Sequence, residues 1–285
     1  MNKKIYVIDR NVLSDIKKMA SGQKSKVSKE HRKVIKQMDH RGAVICTLVA
    51  AREGRSRSVE DADAIQATLI DNANGLTGGF FKYAKIDVLH NINMSESFIE
   101  GFEGEYLEDI KNSGGEEFVQ AAARIVSHQK IKESKQWEQF QKLVALAKEK
   151  GIYSGSPVLW CMSAAIFGNE SARKLMKIKE AGITSTYNFL NDIFFLKRYW
   201  NFCHHMKRNN EYAPVIPVTF DKALKKYAED FELRSTKTVQ LNDEEGVFSA
   251  EIDLRDGIFN RSTSEVLDYI NNELNVFKLR YMLNM

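Results

Sequence analysis

The 285-residue chain predicts an α/β fold built on a central parallel sheet. Short apolar, β-rich runs stand at 4–8 (KIYVI), 43–49 (AVICTLV) and 215–218 (VIPV), with stretches of helical spacing between them. Strands that alternate with helices build parallel sheets. The run at 43–49 is continuously apolar, as strands covered on both faces are. Only three prolines occur (Pro157, Pro214, Pro217), against 16 glycines, which is too little punctuation for an all-β sandwich.

Taken in order, Asp9 ends the first run. Asn11 to Met19 then reads as a helix, with Val12, Leu13 and Ile16 at helical spacing. Residues 20–30 are Lys/Ser-rich and read as a loop. His31 to Asp39 is a helix, with Gly42 as its stop. After the second strand, Ala50 to Glu53 turn the chain out, and Val59 to Asn72 reads as helix. The chain loosens from Gly75 to Gly79. Four helices are expected between about 94 and 180: Ser95–Asn112, Glu116–Lys150, Ser156–Phe167 and Asn169–Glu180. Ser156 before Pro157 is an N-cap followed by proline at the first helical position. Thr186 to Met206 is a long amphipathic helix whose Phe189, Phe194, Phe195, Tyr199, Trp200 and Phe202 fit a core face better than a base-stacking platform. A third strand at 215–218 precedes a helix at Lys222–Asp230. VFSAEIDL (247–254) alternates like a strand, and Ser264 to Leu283 closes the chain as a helix.

Composition narrows the classes. With 43% hydrophobic and 28% charged residues, the chain is neither a disordered tail nor a fibrous repeat. Its three cysteines (Cys46, Cys161, Cys203) lack metal-ligand spacing and make an odd count, so a reducing, cytoplasmic setting is expected. No apolar run is long enough to span a membrane, and the run after Lys4 is too short for a signal peptide. The net charge of +4 is unevenly spread. Residues 1–41 carry 12 Lys/Arg against 4 Asp/Glu, whereas residues 87–118 carry 9 acids and one Lys. The basic block suits an anionic partner such as nucleic acid, and a solvated face is its bland alternative. His204-His205 are neighbours on a helix and so diverge. Gly75 to Gly79 lacks the lysine of a phosphate loop.

Four acids occupy one kind of position, where a strand ends or a nearby helix opens: Asp9, Glu53, Asp192 and Asp221. In an open parallel sheet, ligands bind at the carboxyl ends of the strands. Carboxylates gathered there repel one another unless a divalent cation lies between them, and hard oxygen ligands suit Mg²⁺ or Mn²⁺. Such a cation can assist phosphodiester hydrolysis. Each acid alone has a plainer reading: Asp9 and Asp221 as helix N-caps, Glu53 as a surface residue, Asp192 as a partner for a Lys or Arg on its own helix.

These stretches resemble the motifs of PIN-domain nucleases. IYVIDRNVL is similar to the first motif, AVICTLVAAREG to the second, YNFLNDIFFLKRY to the third and VIPVTFDKALKKYA to the fourth, covering about residues 4–54 and 186–230. The resemblance implies a PIN-like three-layer α/β fold with a large helical insertion and a C-terminal β/α extension. Residues 1–80 and 184–232 would form the core, 81–183 the insertion and 233–285 the extension. It further implies that Asp9, Glu53, Asp192 and Asp221 are catalytic and hold Mg²⁺ or Mn²⁺, with Asn11 and Thr219 supporting the site. The expected activity is metal-dependent hydrolysis of RNA in preference to DNA, in a toxin or defence effector. The insertion would dock a protein partner or a second copy. Lys24, Lys26, Lys29, Arg32 and Lys33, which follow the first motif, are expected to grip the nucleic-acid backbone.

Two other readings compete. Asp9-Arg10-Asn11 also resembles the nucleophile loop of haloacid-dehalogenase-like phosphatases. There the second acid protonates the leaving group, which Asn11 cannot do, and the downstream Gly-Asp-x-x-x-Asp motif is missing. A PIN-like fold used only for binding or regulation is the third reading.

Overall fold

A computed structural model describes residues 3–52, 67–68, 70–72, 76, 80–86, 115–127, 129–179, 182–183, 186–208, 213–240, 246–255 and 257–274. The described residues fall into two compact units. One is drawn mainly from Met1–Glu103 and Arg198–Asp221, the other from Gly104–Lys197 and Lys222–Leu283.

The first unit carries a four-stranded parallel sheet. Strand β1 (Lys4–Ile8) leads into helix α1 (Arg10–Ala20), a 3-10 turn (Lys24–Lys26) and helix α2 (Lys29–Met38). Strand β2 (Ala43–Cys46) follows, then helix α3 (Leu48–Arg52) and strand β3 (Lys85–Ile86). The order across the sheet is β3-β2-β1-β6, where β6 is Val215–Val218. The chain therefore builds outward from β1 on one side and returns to its other side with β6. Pro217 fits that edge place, because a proline has no N–H to give to a further strand. The glycine expected to stop α2 instead sets register. Gly42 sits at φ +86°, which side-chain-bearing residues rarely adopt, and its carbonyl accepts the Lys4 N–H at 2.9 Å.

The core of this unit lies on the α1–α2 side, where Ile8, Val12, Ile16, Ile35, Met38 and Ile45 are buried together. Val12 and Ile16 are one turn apart on α1, as their spacing predicts. Asp39, just past α2, accepts the N–H groups of Lys82, Tyr83 and Ala84 at 2.7–2.9 Å and so ties down the approach to β3. Burial alone raises its carboxyl, and those three hydrogen bonds outweigh it and hold the group below its ordinary value.

The second unit is mostly helical: α4 (Gly115–Val126), α5 (Glu133–Glu149), α6 (Pro157–Ile166) and α7 (Glu170–Met176). A hairpin of β4 (Ile178–Lys179) and β5 (Gly182–Ile183) follows, then helix α8 (Thr186–Arg208), in which the unit boundary falls. Helix α9 (Lys222–Ala228), a hairpin of β7 (Phe231–Gln240) and β8 (Gly246–Leu254), and helix α10 (Thr263–Glu273) complete it. Phe118, Phe140, Phe167 and Phe259 are sealed in its core.

Several expectations need correction. The apolar run at 43–49 leaves the sheet at Cys46, and Leu48 and Val49 begin α3 instead. Both are buried, so their apolar character serves helix packing as well as it would serve a strand. The single helix expected over Glu116–Lys150 is two, broken at Ser127 with φ +62°, so that Phe118 and Val126 on one piece and Phe140 and Val144 on the next all reach the core. The helix expected to run to Glu180 stops at Met176, because Lys177 turns left-handed and opens the β4–β5 hairpin. Strand β7 was not expected; it supplies the antiparallel partner that β8 requires. The helices expected at Ser95–Asn112 and over residues 275–283 lie outside the described residues. No described helix is long and apolar enough to cross a membrane. Cys46, Cys161 and Cys203 are in no disulfide, and Phe189, Phe194, Phe195, Trp200 and Phe202 are buried, as the core reading of their spacing requires.

Ile16 is fully buried on α1, two turns from its start. Ile16→Ala should cost about 2–5 kcal/mol in urea unfolding with an unchanged m-value, the usual cost of emptying a packed site. A loss well under 1 kcal/mol would mean that α1 does not pack on this core.

Candidate functional site

Strand register builds the site. Ile8 and Val218 are opposite one another at the carboxyl ends of β1 and β6, and the Asp9 N–H continues the ladder to the Val218 carbonyl at 3.1 Å. The residues that follow each strand, Asp9 on one side and Thr219 to Asp221 on the other, therefore meet. This is also where the strand order reverses about β1, the place at which an open parallel sheet leaves a crevice.

Asp9 has two tasks. It is the N-cap of α1, accepting the Val12 N–H on Oδ1 at 2.7 Å, so the plain reading of this residue is correct as far as it goes. It also takes hydrogen bonds from the Thr219 side chain and the Asn11 backbone, and it is 3% exposed. Burial lifts its carboxyl above the ordinary range. The hydrogen bonds from Thr219, Val12 and Asn11 oppose that rise, and the like charge of Asp221 adds to it. Capping alone does not need this arrangement, since Ser or Asn would cap without burying a charge beside another acid. The Asp221 N–H donates to Thr219 Oγ1 at 3.0 Å, so one hydroxyl links the Asp221 backbone to the Asp9 side chain.

A second set of residues, outside the acid motifs, supports the loop. Asp15 on α1 accepts from Lys18 at 2.8 Å and faces His31 Nδ1 of α2 at 2.8 Å. Burial raises the Asp15 carboxyl, and these two partners outweigh it and hold the group below its usual value. The His31 ring stacks on Phe220, with centroids 3.8 Å apart and planes 7° apart. Phe220 lies between Thr219 and Asp221, so the Asp15–His31 pair holds the acid-bearing loop from below. The sequence signal for this set was only an acid on α1 and a histidine on α2.

The remaining expected residues are placed as follows. Asn11 meets Asp9 through its backbone N–H, and its side chain is exposed. Lys24, Lys26, Lys29 and Lys33 are exposed, and Arg32 is half-buried on α2. Asp192 belongs to the second unit, where Lys177 Nζ, from outside its helix rather than on it, lies 3.9 Å away. Glu53 lies outside the described residues. Among the described residues no group of three or more His, Cys, Asp or Glu stands where it could hold a metal ion. The acids that the sheet brings together are thus a pair, Asp9 and Asp221. Two carboxylates still suit Mg²⁺, which is held by one or two of them with water filling its other positions. The strain on Asp9 is also of the kind that a cation relieves.

Comparison of the chain with protein-family models, with curated proteins and with solved structures gives no match.

The raised Asp9 carboxyl fixes a sign. For such a group the ionised form costs stability at pH above its folded value, and the cost disappears as pH falls below the unfolded value, about 3.9. Asn caps a helix as well as Asp does. Without divalent cations at pH 7, Asp9→Asn should therefore melt at or above the wild-type temperature, and the gap should close as pH falls toward 4. A variant that melts lower at pH 7 would show that the charge is not strained.

Proposed function

We propose that the protein is a metal-dependent nuclease of PIN-like design, cutting RNA phosphodiesters at the carboxyl edge of the β1–β6 pair. The observation that carries this reading is the buried Asp9 carboxylate, strained by burial and by Asp221 and steadied by Thr219. Asp9 and Asp221 would hold Mg²⁺ or Mn²⁺, with Glu53 as a further ligand that the motif resemblance implies. A divalent cation there supplies Lewis-acid polarisation of a phosphoryl oxygen. Asp9 is fixed by the cap of α1 and by the Thr219 hydroxyl, so its free lone pairs keep one direction. His31 and Phe220 hold the Asp221 loop against that position. Because the acids repel phosphate, backbone grip falls to cations beside them, with Lys24, Lys26, Lys29, Arg32 and Lys33 next along the chain. A toxin or defence role, with a protein partner on the 81–183 region, follows from the same resemblance.

Cleavage of end-labelled RNA and DNA with Mn²⁺ tests the reading. Asp9→Asn and Asp221→Asn should abolish cutting while the fold persists. Thr219→Val, which removes only the orienting hydroxyl, should cost roughly 10–100-fold. Unchanged turnover in Asp9→Asn would sink the site.

Titration of a fluorescent oligonucleotide at several salt concentrations examines the grip. Changing Lys24, Lys26 and Lys29 to Gln should lower the slope of log K against log salt by about one unit for each phosphate that a lysine no longer neutralises. An unaltered slope would place the binding surface elsewhere.

A further inference from the structure

The parallel sheet of the first unit has a second edge, and it is basic. Strands β1, β2 and β3 run in one direction, so their amino ends share the edge opposite Asp9. Strand β1 is five residues long, which sets the two edges about 16 Å apart. Lys4 pairs with Ala43 and Val44 with Lys85, so the register gathers Lys4, Lys85 and the residues that precede β2 and β3. Arg41 comes just before β2, and Lys82 and Tyr83 just before β3. Lys4, Arg41, Lys82 and Lys85 are exposed, and none of them forms an ion pair among the described residues.

The backbone beneath these side chains is fixed. The nearby Asp39 carboxylate is taken by the N–H groups of Lys82, Tyr83 and Ala84, so it ties down the loop and pairs with none of the four cations. His40 Nδ1–H donates to the Arg41 carbonyl at 3.2 Å, and His40 Nε2 lies 3.0 Å from the Tyr6 hydroxyl. A frame already set lowers the ordering cost of binding. Between the two segments stands Tyr83, 42% exposed, with the Arg41 guanidinium carbon 5.8 Å and Lys82 Nζ 5.1 Å from its ring centroid. A ring left this open adds little to the core.

Cations without partners suit an anion, and an open ring among them suits one with flat apolar faces. A membrane would take the charge but needs apolar anchors, and Ile70 is the one other large hydrophobic side chain as exposed among the described residues. A duplex keeps its base faces inside its own stack, whereas a single strand offers phosphates and free base faces together. We propose that this amino edge binds single-stranded nucleic acid, with a base stacked on Tyr83 and the backbone phosphates on Lys4, Arg41, Lys82 and Lys85. A stacked base is worth more than a cation over an exposed ring, so it can displace either side chain toward a phosphate. The surface is separate from the Asp9–Asp221 pair and does not rest on the nuclease reading. In a nuclease it would hold the strand away from the cut.

Fluorescence anisotropy of the full chain in EDTA, so that no cleavage occurs, with a labelled single-stranded RNA and with its duplex, tests it. Tyr83→Leu should weaken the single strand roughly 5–150-fold, the range of one stacked base, and leave the duplex unchanged. Arg41→Gln combined with Lys82→Gln should flatten the slope of log K against log salt by about 1.4 units, the share of two phosphates on a single strand. That double variant keeps Tyr83, so it tests the surface even if Tyr83→Leu fails to fold. Unchanged single-strand affinity in Tyr83→Leu, or an equal loss for strand and duplex, would overturn the proposal, as would an unaltered salt slope. So would phosphatidylserine vesicles that the double variant no longer binds while it keeps RNA, since the edge would then be a membrane surface. RNA held through Tyr83 but never cut with Mn²⁺ would sink the nuclease reading and leave this surface. Cutting, with binding unchanged in both variants, would do the reverse.

Discussion

One backbone register decides what this molecule can do. Ile8 stands opposite Val218, and the Asp9 N–H closes the ladder on the Val218 carbonyl. In a parallel pair, both chains leave the sheet at the same edge, so whatever follows the two strands is set side by side. Here Asp9 follows one strand, and Thr219 and Asp221 follow the other. A slip of one residue would turn the core side chains of β1 outward and separate the acids together, so packing and chemistry are enforced by the same hydrogen bonds.

Around that register the chain adds restraints of different kinds. Helix α1 uses Asp9 as its cap, which fixes the carboxylate by local structure and aligns it with the positive end of the helix. The Thr219 hydroxyl joins the two acids. His31, oriented by Asp15, stacks on Phe220 and so couples α2 to the same loop. What remains is a buried Asp9 carboxylate with the like charge of Asp221 beside it. A buried carboxylate next to another is a liability in a scaffold and an asset in a cation site, and that difference supports the nuclease reading over a binding module.

The fold was legible where local pattern and tertiary need coincide. β1, α1, α8 and β6 carry strong apolar periodicity or β-branched runs, and they stand where the sequence puts them within a few residues. It was illegible where apolar character fits two structures, as at Leu48 and Val49, or where a break depends on a single backbone conformation, as at Ser127 and Lys177. At the site, the Asp9 and Asp221 positions could be read from strand ends, because a parallel sheet has one chemical edge. The strand order that makes them neighbours could not, since nothing local to β6 says that it pairs with β1. The Asp15–His31–Phe220 support was invisible for the same reason: it is defined by residues far apart in the chain, brought together only by packing.

The β1–β6 register sets Asp9 and Asp221 side by side as like charges, and the proposed function puts a cation between them. A double-mutant cycle reads that pair directly. Thermal unfolding of wild type, Asp9→Asn, Asp221→Asn and the double variant, each with EDTA and with saturating Mg²⁺, gives the coupling between the two carboxylates. An unfavourable coupling is expected in EDTA, where the charges repel, and it should become favourable when Mg²⁺ lies between them. A coupling of zero in both conditions, or of one sign in both, would contradict it.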